Sequence, residues 1–241
     1  MNKGYIYRET IRDRTDGQRL DGYLSAAYPH SSEEQWADRI ADGELVLDGT
    51  PAGSDALLHT GQRLEWHRPP WSEPAAPLDL RVLRDDGGVL VVAKPAGLPT
   101  LPGGGFLENT LLHQLRLRYP DASPMHRLDR WTSGAILCSR TRASGASIAA
   151  QFVARTIHKR YRALASGRPA QPRFGVDVSI GPVPYPPLGS VQAARPDGRP
   201  ASSQVAVLEH RPGSFLCDVT IFTGRPHQIR IHLAAAGHPL V

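Results

Sequence analysis

Cysteine is scarce: two residues in 241, Cys138 and Cys217, each inside a short apolar stretch and without CxxC or Cys/His spacing around it. That excludes a disulfide framework and a zinc cage, and leaves two buried free thiols as the expectation. Long apolar runs are also missing. The longest, "VLVVA", falls far short of the ~20 residues a membrane-crossing helix needs, and "MNKGYIYRET" carries no apolar signal core. A cytoplasmic chain with no membrane partner is therefore expected. No internal repeat or low-complexity tract occurs. "LPGGGF" lacks the Lys-Ser/Thr ending of a phosphate loop. No G-x-S-x-G elbow surrounds Ser133, which sets aside a hydrolase triad with His126 and Asp129. His227 and His232, five apart, point to different sides of a helix or strand, so no metal site is expected there. The expected cofactor is none.

Acid is the scarcer charge, with 23 Asp plus Glu against 28 Lys plus Arg and a formal net charge of +5. A basic balance of this kind favours a polyanionic partner, nucleic acid first. The length suits one main domain and a small appendage.

The appendage is expected over residues 1–68. "RLDGYLSAAY" spaces Leu20, Leu24 and Ala27 at helical intervals, and Ser31 three ahead of Glu34 reads as a capping box opening a second helix. Gly43 follows as the terminator, "ELVL" as a strand, Asp48–Gly49 as a tight turn and "RLEW" as another strand. Four prolines in "RPPWSEPAAP" make residues 69–77 a semi-rigid spacer. Over residues 78–241 the patterns alternate irregularly: a hairpin from "LRVL" and "VLVVAK", a helix in "ENTLLHQLRLRY" and a strand in "GAILCS". A helix in "ASGASIAAQFVAR" and the strand "KRYRALAS" follow, then "FGVDVSIGPVPYPPLGS" as strand and proline-rich loop. "SQVAVLEH" and "SFLCDVTIF" pair, and a helix in "IRIHLAAAG" closes the chain. Without a βαβ rhythm, this predicts an α+β domain with a mostly antiparallel sheet.

Four basic segments carry the chemistry: "VVAKPAGLPT" with Lys94, "HRLDRWTSG" with Asp129 between Arg127 and Arg130, "HKRYRALASG" with Tyr161 amid Lys159, Arg160 and Arg162, and "TGRPHQIRIH" with Arg225, His227, Arg230 and His232. A carboxylate among cations is held ionised as a nucleophile or base. Cations interleaved with a tyrosine suit a groove for an RNA backbone and a surface for an unstacked base.

In that order these segments resemble the RluA-type pseudouridine synthases, and residues 19–67 resemble the S4-like RNA-binding module found ahead of such domains, with Glu33 and Glu34 standing where that module usually has basic residues. Ala93 and Pro226 also depart from the family's usual residues. The resemblance implies the pseudouridine synthase fold with a mostly antiparallel mixed sheet. It further implies isomerisation of uridine in ribosomal or transfer RNA; a monomer is expected. It implies that Asp129 is the catalytic aspartate, Tyr161 the ring that packs on the target base, Arg230 the partner of the aspartate and Arg127 the arginine that opens the RNA stack; from the basic segments themselves, Lys94, Lys159, Arg225 and His227 are expected as RNA contacts. The alternative is a catalytically inactive RNA-binding or ribosome-assembly protein of the same fold. The chain stops at "GHPLV", where family members continue for a few strands, so a naturally short or truncated C-terminal end is expected.

Overall fold

The computed structural model describes residues 1–186 and 189–241 and falls into two compact units. The first comprises Met1–Leu78 with Leu101–Gln114, the second Asp79–Thr100 with Leu115–Val241. Among the described residues no helix is long and apolar enough to cross a membrane.

In the first unit the elements run β1 (Tyr5–Thr10), α1 (Leu20–Ala27), α2 (Glu33–Ala41), β2 (Leu45–Leu47), β3 (Thr50–Pro51) and β4 (Arg63–Arg68). The sheet order is β1-β4-β2-β3. Leu20 and Leu24 of α1 and Trp36 and Ile40 of α2, each pair four apart on one helix face, bury against Leu45, Leu58 and Leu64. The capping box lies one residue later than expected. Ser32 Oγ accepts from Gln35 N, and Gln35 Oε1 accepts from Ser32 N, while Ser31 is buried and its Oγ accepts from Arg39 Nη1. Gly43 at φ +75° ends α2, and Asp48 and Gly49 at φ +47° and +85° turn β2 into β3. Strand β1 was not anticipated: among the described residues it pairs with β4 alone and buries no residue, so it carries no alternating apolar signal.

The proline-rich segment is fastened within this unit by Glu73. Its carboxylate accepts from the backbone N–H of Leu107 (2.8 Å), Glu108 (2.9 Å) and Asn109 (2.9 Å) and from Asn2 Nδ2 (2.8 Å). Burial alone would raise its pKa; the N–H donors of Glu108, Leu107 and Asn109 and the Asn2 amide outweigh burial and bring it down to about 2.

The second unit contains β5 (Arg81–Asp85), β6 (Val89–Lys94), the end of α3 (Leu111–Arg118), β7 (Ser123–Pro124), β8 (Gly134–Ser139), α4 (Arg142–Ala154) and β9 (Lys159–Ser166). It continues with β10 (Arg173–Asp177), β11 (Ile180–Tyr185), β12 (Gly189–Ala194), β13 (Ser202–Arg211), β14 (Ser214–Ile221) and α5 (Gln228–Ala235). One sheet has the order β5-β6-β8-β7, another β10-β13-β14-β9, and β11-β12 forms a separate hairpin. Each of these strand pairings is antiparallel, and the domain is α+β, as the sequence patterns indicated. The expected proline-rich loop is instead a strand over Ile180–Tyr185; Pro182 and Pro184 fit because a two-stranded hairpin leaves one edge of each strand unpaired. Pro187 and Leu188 of that stretch lie outside the described residues. Phe215, Cys217, Val219 and Ile221 of β14 bury on one face together with Leu233 of α5, and Tyr161 and Ala163 of β9 pack against the same cluster.

Candidate active site

Lys94 ends β6 with its side chain 1% exposed, and its three N–H donors are committed: Nζ donates to Pro95 O (2.9 Å), Leu98 O (2.7 Å) and Arg130 O (3.0 Å). Burial pushes its ammonium down to about 8, against the pull of the Asp129 charge. Lys94, expected to contact RNA, is therefore an internal tie, because its donors are spent on main-chain carbonyls before any phosphate arrives. Gly97, at φ +91°, adds a two-way bond: its N–H donates to Arg130 O (2.8 Å) and its carbonyl accepts from Arg130 Nε (3.0 Å). Thr100 completes the seam, its Oγ1 donating to Leu128 O (2.8 Å) and accepting from Leu128 N (3.2 Å). The residues before and after Asp129 are thus both fixed by the loop that follows β6.

Asp129 itself stays accessible, its carboxylate 48% exposed, with Oδ2 accepting from His227 Nδ1 at 2.9 Å. His227 reaches it from an αL backbone (φ +56°, ψ +19°) at the start of α5. The turn ahead of His227 is pinned by buried Gln228. Its Oε1 accepts from Thr223 Oγ1 and Arg225 N, and its Nε2 donates to Ser202 O and Ser203 Oγ. Arg230, expected to pair with Asp129, is exposed on α5 and makes no ion pair with it within 4.0 Å. The αL turn brings His227, three residues earlier, to the carboxylate in its place. Arg127 is exposed beside Asp129, and Arg225 Nε donates to Pro200 O (3.2 Å). His126 faces inward, its Nε2 accepting from Leu137 N (3.0 Å), and is not available to a triad. His232 is buried with Nε2 against Val178 O, away from His227.

Strand alternation divides the basic run around Tyr161. Lys159 and Tyr161 lie on the face that packs toward Ile221 and Val219, whereas Arg160 and Arg162 lie on the opposite face, where both approach Asp218. Burial raises the Tyr161 phenol pKa, and the charge of Asp129 raises it further, which sets the ring near the carboxylate. Burial and then Arg155 lower the Lys159 ammonium, and its Nζ donates to Thr223 O (3.3 Å). Gln228, Gly97 and Thr100 were missed as functional positions. All three lie inside segments already singled out, but uncharged side chains give no chemical signal of their own.

A half-exposed carboxylate on a rigid loop, with a histidine on one oxygen and a half-buried tyrosine nearby, is equipped for nucleophilic or general-base work. The family of that chemistry is given by comparison. The family model for RNA pseudouridylate synthase matches residues 88–235. An uncharacterized RNA pseudouridine synthase of Synechocystis sp. is 41% identical over 224 residues, covering 92% of this chain and 77% of the relative. The ribosomal large subunit pseudouridine synthase D of Xanthomonas campestris pv. campestris is 32% identical, over 98% of this chain and 73% of its own. The structure of human RNA pseudouridylate synthase domain containing 1 superposes with a TM-score of 0.60 at 28% identity, over 70% of each chain. The chain belongs to the RNA pseudouridylate synthase family, whose members are isomerases acting on RNA.

Proposed function

We propose that the protein converts uridine to pseudouridine in ribosomal or transfer RNA with Asp129 as the reacting carboxylate. The observation that carries this is the mounting of Asp129: main-chain and side-chain bonds from Lys94, Gly97 and Thr100 hold its neighbours while the carboxylate itself faces outward. The reaction breaks C1′–N1, turns the uracil and joins C5 to C1′; the hydrogen on C5 then leaves to solvent. One carboxylate suffices, acting on C1′ or on the 2′ hydrogen, because no group departs that needs a second acid. Tyr161 packs on the extruded base, whose unstacking costs a few kcal/mol. Arg127, Arg225 and Lys159 meet phosphates, and Arg230 closes on Asp129 or on RNA once substrate is bound. The relative named for the large ribosomal subunit supports ribosomal RNA as the first substrate to try. The S4-like module over residues 1–68 aids binding, and the enzyme works as a cytoplasmic monomer.

Asp129→Asn keeps the shape and removes the charge. With total RNA from a strain lacking the gene, tritiated at uracil C5, the parent should release label without added metal, nucleotide or methyl donor, and the folded variant should lose at least about a thousandfold in rate, or ~4 kcal/mol. Appreciable release by the Asn form sinks the assignment of Asp129; no release by the parent sinks turnover altogether and leaves an RNA-binding protein.

A further inference from the structure

A pocket of about 200 Å³ lies at the end of β14, lined by Phe152, Ile157 and Phe222 as apolar walls and by Arg155, His158 and Lys159. It is smaller than the ~300–1,000 Å³ of ordinary small-ligand sites and suits one flat ring rather than a folded cofactor. Lys159 connects it to the site already described. It shares a strand face with Tyr161, two residues on, and its Nζ bonds Thr223 O at the head of the turn that delivers His227.

Three features of the lining are unusual for a merely structural recess. Phe222 is 50% exposed, a large aromatic left uncovered beside a cleft. Arg155 and Lys159 are close enough for Arg155 to disfavour the Lys159 charge, and among the described residues neither has a carboxylate within 4.0 Å. Arg155 is also the residue that ends α4, in the αL conformation at φ +58°, ψ +30°, a place where glycine is favoured and an L side chain is strained. Among the described residues, the non-glycine positions at positive φ are Asp48 in its tight turn, His227 at Asp129, and Arg155 here. Two uncompensated cations beside an open aromatic wall match a phosphate and a base in one ligand.

We propose that this pocket is a second nucleotide subsite, in which the base of a residue flanking the target uridine stacks on Phe222 while its phosphate meets Arg155 and Lys159. The inference rests on the reading of the chain as an RNA-modifying enzyme centred on Asp129. It assigns to Phe222, Phe152 and Arg155 a part in choosing the sequence context of the target.

The full chain and three variants would be compared by filter binding of the tritiated total RNA, by tritium release and by thermal unfolding. Phe222→Ala should weaken Kd and raise KM about tenfold, or ~1.4 kcal/mol, with kcat within about twofold. Phe222→Tyr, which keeps a stacking ring, should restore both. Arg155→Gly relieves the αL strain, so its Tm should rise or hold while RNA binding weakens and the slope of log Kd against log salt falls by about 0.7. Binding and KM of Phe222→Ala within about twofold of the parent overturn the subsite. So does a loss of binding in Arg155→Gly that occurs only with a lowered Tm. Parent turnover with Phe222→Ala unaffected leaves the Asp129 reading standing without the subsite; Phe222-dependent binding with no tritium release by the parent does the reverse.

Discussion

His227 holds its ring on Asp129 from a backbone at φ +56°, which costs an ordinary L residue about 1 kcal/mol and a β-branched one more. Asparagine tolerates that backbone and keeps a side-chain donor; valine does neither. His227→Asn should therefore stay within about 0.5 kcal/mol of the parent in urea unfolding, whereas His227→Val should lose about 1–2 kcal/mol. Tritium release should drop further in the valine variant, because the turn pinned by Gln228 then no longer presents a donor to Asp129. Equal stability of the two variants would show that the αL turn carries no strain. Lys94 teaches the complementary lesson. Its sequence setting, a lysine at a strand end in a basic motif, reads the same whether the ammonium faces solvent or main-chain carbonyls, and only the fold shows its three donors spent internally.

At the level of elements, Glu73 ties the proline-rich segment to the N–H groups of Leu107, Glu108 and Asn109. Burial of this carboxyl opposes ionisation, but those donors win and hold its pKa near 2, below its ordinary 4.5. A depressed carboxyl stabilises the fold above its unfolded pKa and ceases to do so as pH falls through the folded one. The parent should thus lose on the order of 2 kcal/mol between about pH 5 and pH 2 that Glu73→Gln, already lower at pH 7, does not lose. Urea midpoints of both proteins at pH 7, 4 and 2.5 give the comparison, and parallel curves would refute it. Elements with one buried face were legible in the sequence. α1, β6 and the β13–β14 pair all stand where apolar periodicity put them, because burial on one face leaves a period of 3.6 or 2. Strand β1 buries nothing and β11 is written in prolines, so neither has that signature. The motif loops were legible as a set. Which of their basic residues reaches Asp129 was not, since that depends on one αL residue, and the choice between His227 and Arg230 is a matter of backbone direction rather than composition.

Across the whole molecule, the excess of cations does not fall evenly on groups free to meet RNA. Arg162 bonds Asp218 on the strand face opposite Tyr161, and Arg160 approaches the same carboxylate, while Arg127 is exposed on the Asp129 loop. Salt-dependent RNA affinity counts the phosphates neutralised, so cations already paired contribute little to it. Arg127→Gln should weaken binding across RNA sequences and reduce the slope of log Kd against log salt by about 0.7, whereas Arg162→Gln should leave that slope unchanged. A matching loss of slope in Arg162→Gln would mean that RNA also crosses the Asp218 face.

The loop following β6 and the loop bearing Asp129 are irregular in backbone, yet Gly97 N–H ends on Arg130 O and Leu128 N–H on Thr100 Oγ1. In deuterated solvent such amides exchange only when the bonds open, and opening here must break the Lys94 tie as well. Gly97 and Leu128 should accordingly retain their protons nearly as long as Val219 in the middle of β14, far longer than irregular segments ordinarily do. Lys94→Met should speed both without touching Val219. The stretch around Asp129 would then be a place where slow isotope uptake, not regular secondary structure, marks a part of the chain held as still as its strands.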